Sequence, residues 1–286
     1  MREPTGISSL SPAWRGIGLV ALVTGGIVPV LALLVAATAG LLAPPLRPEQ
    51  MAMMPKEMPQ MMLSRIMWPD QVQMAMSMPE KVMAMLAGTM AAQPVMAAFT
   101  WYILVPALVV LAIVYFYARE RCPGLANCIA AGLVAGAVGT VALDVVRLTG
   151  FSLRWMPANL PPMFGMLILG PQSNPVQAEI VGYIYHFLNG ASFGLIYTLI
   201  IGRGSVPWGI GWGIVIWLLM MITPPLLIMG VGPFGVNFGP GLVITTFVAH
   251  VVYGAALGWL VQQWACTKGP RLSEWILGPR LGAEAR

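Results

Sequence analysis

The sequence predicts an all-α, polytopic integral membrane protein with six transmembrane helices, of which helices 3–6 form a duplicated two-helix repeat. Three observations carry this. The 286-residue chain is 58% hydrophobic and only 9% charged, whereas soluble domains carry about 25% charged residues. Apolar runs at 16–42 and about 98–118, 127–149, 176–201, 206–230 and 242–264 are each near the ~20 residues that cross a bilayer. One pattern, H-x3-G-A-x2-G, is written twice, from His186 to Gly194 and from His250 to Gly258, and it uses the only two histidines of the chain.

Taken in order, residues 1–43 hold a polar tail and the first helix. Its apolar run from Gly16 to Leu42 exceeds the roughly 7–15 residues of a signal-peptide core, so it reads as a retained span. Residues 98–126 hold the second helix and an inner loop, 127–264 the duplicated four-helix unit, and 265–286 a short basic tail. Orientation follows from the cations. Outside the segment 44–97, whose Arg47, Lys56, Arg65 and Lys81 are accompanied by Glu49, Glu57, Asp70 and Glu80, Arg2, Arg15, Arg119, Arg121, Arg203, Lys268, Arg271, Arg280 and Arg286 fall on one side against Arg147 and Arg154 on the other, which predicts cytoplasmic termini in a cell inner (plasma) membrane. The net charge of +5 is therefore a topology signal, and no basic face for nucleic acid is present. Cys122, Cys128 and Cys266 then lie on the reducing side and read as ordinary thiols.

Residues 44–97 stand apart by composition. Fourteen of the 21 methionines fall between Met51 and Met96. Pro55, Pro59, Pro69 and Pro79 cut the stretch into short amphipathic helices on the outer membrane surface, the last running from a Ser77/Glu80 capping box to about Ala92. Met51, Met54, Met58 and Met61 step by three and four, the spacing of one helical face, and Met74, Met76 and Met78 form a second cluster. Methionine fills irregular apolar contacts well. Thioether sulfur also selects Cu(I), so the two clusters are candidate soft-metal ligands.

In each copy of the histidine pattern the His and the two glycines recur at i, i+4 and i+8, so each imidazole heads a strip of small residues that lets a neighbouring helix approach. Each histidine-bearing helix follows a glycine-rich one, with Gly132, Gly136 and Gly139 in the first pair and Gly209, Gly211 and Gly213 in the second. A parallel duplication sets His186 and His250 at equal depth, and rise per residue puts both near the midplane. Asp144 and Arg147, at i and i+3, can pair on one face. With Glu179 and the histidines they are the intramembrane polar candidates, either as interhelical glue or as a polar path toward the methionine side. The piece Met163–Leu169 is too short to span and reads as interfacial or re-entrant.

From Gly182 to Gly194, with the segment Ala249–Gly254 behind it, the chain resembles an uncharacterised family of small multi-pass prokaryotic membrane proteins. The resemblance covers about residues 127–264. It implies a four-helix unit with a histidine on its second and fourth helices, and implies no activity.

No GxGxxG, Walker A, HExxH or C-x2-C motif occurs, so no catalytic residue is expected and an enzyme is the weaker expectation. Three functions fit the residues. One is binding or handling of a soft metal, Cu(I), captured by the methionines and passed to His186 and His250. Another is ligation of b-type haem or a chlorophyll-type pigment by the two histidines in a redox or energy-converting complex. The last is a structural accessory subunit that lies in the lipid bilayer and docks a larger membrane complex through its methionine segment.

Overall fold

The computed structural model describes residues 12–265, so the polar N-terminal tail, Cys266 and the basic C-terminal tail lie outside the described residues. Among the described residues the chain is helical throughout, with no strand. Helix α1 (Pro12–Ala21) runs through a π-turn (Leu22–Ile27) into α2 (Val28–Leu41). Three short helices follow, α3 (Pro48–Met53), α4 (Met58–Ser64) and α5 (Pro69–Met76). Helix α6 (Pro79–Phe99) continues through a second π-turn (Thr100–Leu104) into α7 (Val105–Arg121). Then come α8 (Pro123–Ser152), α9 (Pro161–Leu169), α10 (Pro175–Ile200), α11 (Val206–Ile222), the single turn α12 (Pro224–Leu227) and α13 (Pro240–Trp264).

Among the described residues four helical rods are long and apolar enough to cross a membrane: Ala13–Leu41, Pro79–Arg121, Pro123–Ser152 and Pro240–Trp264. Helix α11 is apolar but shorter, and α10 is long but diluted by Gln177, Glu179, His186 and Asn189.

The second rod departs from expectation. Pro94 and Pro106 do not interrupt the second rod, and residues 79–97, expected to end in a surface helix near Ala92, belong to one 43-residue helix. Both π-turns stand immediately before a Val-Pro pair, Val28-Pro29 and Val105-Pro106. The wider turn gives room for a ring that would clash with the preceding carbonyls, so each helix continues where a regular one would kink. In α2 the Tyr185 hydroxyl enters the ladder itself, donating to Pro29 O at 2.8 Å and accepting from Leu33 N at 3.1 Å. That contact fastens α10 to α2 one residue before His186.

The Ser77/Glu80 capping box does not form. Ser77 closes α5, its hydroxyl donating to Met74 O at 2.6 Å, and the N-cap of α6 is Met78 without a side-chain cap.

Close crossings are made where glycines face backbone. A Cβ at Gly136 would meet Gly190 O and stand 2.9 Å from Ala191 Cα, and one at Gly194 would meet Gly132 O and stand 2.7 Å from Gly136 Cα. The α11/α13 crossing is built alike, Gly209 facing Gly254 and Gly258, and Gly213 facing the His250 carbonyl. Helix α9 lies across α10, where Gly165 faces Ala178 and Gly182 faces Pro161.

One apolar core joins the short helices to the long ones. It buries Met58 and Met62 of α4, Leu86 and Met96 of α6, and Met163, Met166 and Leu167 of α9, with Met54, Met67, Met83 and Met85 against it. Helix α9 is thus covered on its α6 side as well as by α10.

Candidate functional site

The only ion pair with both side chains buried among the described residues forms where α8 crosses α10. Arg147 Nε donates to Asp144 Oδ1 at 2.7 Å, and the two side chains are 7% and 10% exposed. The spacing i, i+3 made this pair readable from sequence. The same Oδ1 receives His186 Nε2 at 3.0 Å from across the helix crossing. Arg147 spends its other nitrogens on Asn159 Oδ1 (2.6 Å) and the Tyr183 hydroxyl (3.4 Å).

Donor roles follow from the partners. An ionised carboxylate only accepts, so His186 donates from Nε2, and its Nδ1 is the nitrogen left to take a further proton. Asp144 and Arg147 cancel in charge.

His250 is placed otherwise. It is 8% exposed and its Nδ1 lies 2.7 Å from Thr246 O, one turn back in its own helix. A carbonyl can only accept, which puts the proton on Nδ1 and leaves Nε2 as an acceptor. Gly136 faces Gly190 and Gly139 faces Tyr253, so His186 and His250 stand at nearly the same height along α8. The Tyr253 hydroxyl donates to Gly190 O at 2.7 Å, tying α13 to α10.

Glu179 is exposed two turns from His186 and is not in this network. Asn159 and Tyr183, which sequence reasoning passed over, are in it. Tyr183 had a signal, since it lies three residues before His186 on the same face; Asn159 had none, sitting in a loop.

The methionine candidates are divided. Met51 and Met54 are separated from Met58 and Met61 by the break between α3 and α4, so the four do not share one helical face. Met58 is buried and Met54 packs on the same core; Met61 is half-buried, and the side chain of Met51 lies outside the described set. Met74, Met76 and Met78 are exposed, at the end of α5 and the turn beyond it. Among the described residues no group of three or more His, Cys, Asp or Glu side chains is placed to hold a metal.

Above the cluster, the turn between α4 and α5 grips the connector from α8 to α9. Trp68 stacks on Phe151 (5.1 Å, 17°) and donates from its indole N–H to Phe151 O at 3.1 Å. The Arg154 guanidinium lies 4.4 Å over the Trp68 ring and pairs with Asp70 at 2.5 Å. That hydrogen bond holds the Asp70 carboxyl below its ordinary value. Arg154 reaches this position from a left-handed backbone, φ 65°, uncommon for a residue with a side chain.

Apolar spanning helices around a buried Asp–Arg–His network define a membrane-type helical protein with an ionisable cluster inside its bundle. The chain belongs to a family of unknown function, DUF6789, whose model matches residues 126–270 and so takes in every residue of the cluster. No curated protein and no solved structure matches the chain.

Proposed function

We propose that this is a six-span membrane protein, with α8/α10 and α11/α13 as two copies of one unit, whose Asp144–Arg147–His186 cluster binds and releases a proton at His186 Nδ1. The observation that carries the reading is one carboxylate shared by an arginine and a histidine inside an apolar bundle. A buried ion pair is a poor way to gain stability, because apolar residues of similar volume often serve packing as well or better. Ionisable groups at such depth ordinarily face a partner or a proton path.

The rods support a location for the cluster. At ~1.5 Å per residue the 43-residue rod Pro79–Arg121 is about 64 Å long, twice a hydrocarbon layer of roughly 30 Å. Trp101 and Tyr102, 57% and 81% exposed, suit one interface and Arg119 with Arg121 the other. The rod's first half then stands outside with α3, α4 and α5 as a methionine-rich cap, on the outer face of a plasma membrane if the termini are cytoplasmic. Asp144 is about 32 Å along α8 from Pro123 by the same rise, level with Trp101. By this reading the cluster lies at the outer edge of the hydrocarbon, under the cap, and not at the midplane.

With only two histidines, ¹⁵N imidazole NMR of the protein in nanodiscs tests the proposal directly. The His186 nitrogens are expected to report a gain of a proton as pH is lowered, with that response missing in His186→Gln. No change in them from about pH 4 to 9 overturns the proton site.

A second reading, soft-metal handling, draws on the meeting of methionines from α4, α6 and α9 in one core. Leucine at Met51, Met54, Met58 and Met61 roughly conserves volume, at a usual cost below ~1.5 kcal/mol. The substituted protein is expected to insert normally but lose Cu(I) in dialysis against a competing chelator; unchanged copper, or none in the wild type, leaves the methionines as packing. A haem or pigment on both histidines would use the ring nitrogens left to them, His186 Nδ1 and His250 Nε2. If neither proton nor copper binds, the accessory-subunit reading leads.

A further inference from the structure

We infer that Asn159 is a positioning residue for the Asp144–His186 pair and that the turn Ile66–Gln71 of the cap, with Trp68 at its centre, holds it in place. The inference rests on the proton-site reading and adds to it a control from outside the bundle. A hydrogen-bonded chain links the two regions without a gap. Asn159 N donates to Ile66 O at 2.7 Å. Asn159 Oδ1 accepts from Arg147 at 2.6 Å, Arg147 donates to Asp144 at 2.7 Å, and Asp144 accepts from His186 at 3.0 Å. Asn159 is thus held by its backbone to the cap and by its side chain to the arginine.

Independent contacts keep the connector where this chain needs it. Gln71 Nε2 donates to Met156 O at 3.4 Å. Trp68 stacks on Phe151, bonds its carbonyl and lies under Arg154, which pairs with Asp70. The left-handed backbone at Arg154 persists only where surroundings over-determine it, and here its contacts with Trp68 and Asp70 of the cap do so. If the turn lifts, Arg147 Nη1 loses its acceptor and is free to turn toward the Asp144 carboxylate, the usual two-pronged geometry of such pairs. His186 then meets a carboxylate differently shared. The titratable and charged groups around His186 are Asp144 and Arg147 from α8, Tyr183 and, farther along, Glu179 from its own helix, and His250 and Tyr253 from α13; none of these is in the cap. A change in His186 caused from the cap therefore has to travel through the connector.

The test is the ¹⁵N histidine spectrum of the full chain in nanodiscs, with unfolding monitored in parallel. Trp68→Ala is expected to displace the His186 signals and leave those of His250 in place. Asp70→Arg and Arg154→Asp, at exposed positions, are expected to do so more weakly as single changes, and the double reversal to return the His186 signals toward wild type. Should Trp68→Ala fail to insert, the reversal pair decides alone. A wild-type His186 that titrates but ignores both sets of variants sinks this inference and leaves the proton site standing; a wild-type His186 that does not titrate removes the proton site, and this inference with it.

Discussion

Asp144→Ala is expected to destabilise the folded protein by about 3–5 kcal/mol, the usual cost of leaving one partner of a buried pair without its counter-charge. Arg147 is 7% exposed, and with Asp144 gone it keeps only Asn159 and Tyr183, neither of which carries a negative charge. The double change Asp144→Leu with Arg147→Met removes both charges together and is expected to cost less than the single one, since nothing charged is then stranded. Reversible unfolding in mixed micelles reads both. A cost for Asp144→Ala within the ~0.5 kcal/mol of ordinary surface changes would mean that water reaches Arg147 freely and that the cluster is not closed. The comparison also separates stability from function: the double variant is expected to keep its fold and to lose the pairing partner of His186.

Gly194→Ala is the other large effect expected. The added methyl meets Gly132 O and falls 2.7 Å from Gly136 Cα and 2.8 Å from Gly136 N, atoms of a rigid helix backbone that cannot rotate away. Overpacking of this kind typically costs about 1–3 kcal/mol, and here α8 and α10 must separate, which pulls Asp144 from His186 as well. Gly211→Ala is the control, since its Cβ has open space around it and alanine favours a helix over glycine by up to ~1 kcal/mol. Unfolding midpoints should therefore fall for Gly194→Ala and hold or rise for Gly211→Ala. Equal effects at the two positions would show that the glycine seam is not what sets the crossing.

The bearing of these residues on each other was legible to different extents. The glycine strips behind His186 and His250 were readable because i, i+4 and i+8 define one stripe of a helix whatever it packs on, and both stripes lie at close crossings. The Asp144–Arg147 pair was readable for the same reason, being local. The methionine spacing was readable and still misled, because a three-and-four period means one face only if the helix is continuous, and the chain breaks between Met53 and Met58. The opposite error befell the second rod. A surface helix ending near Ala92 and a separate span from about residue 98 were expected, yet the helix runs unbroken from Pro79 to Arg121, with a π-turn before Pro106.

By itself the sequence determined that this is an α-helical protein of membrane type, since so few charges and so many long apolar runs leave no other way to satisfy the backbone in lipid. It also determined which helices carry close-packing stripes and where one ion pair forms. Only the tertiary structure decided that His186, 42 positions from Asp144, completes that pair while His250 bonds back to its own helix, and that Asn159 ties the pair to the cap. Periodicity records which face of a helix is small or polar. It carries no information on how two helices are rotated against each other, and that rotation is what brings the His186 imidazole onto the carboxylate.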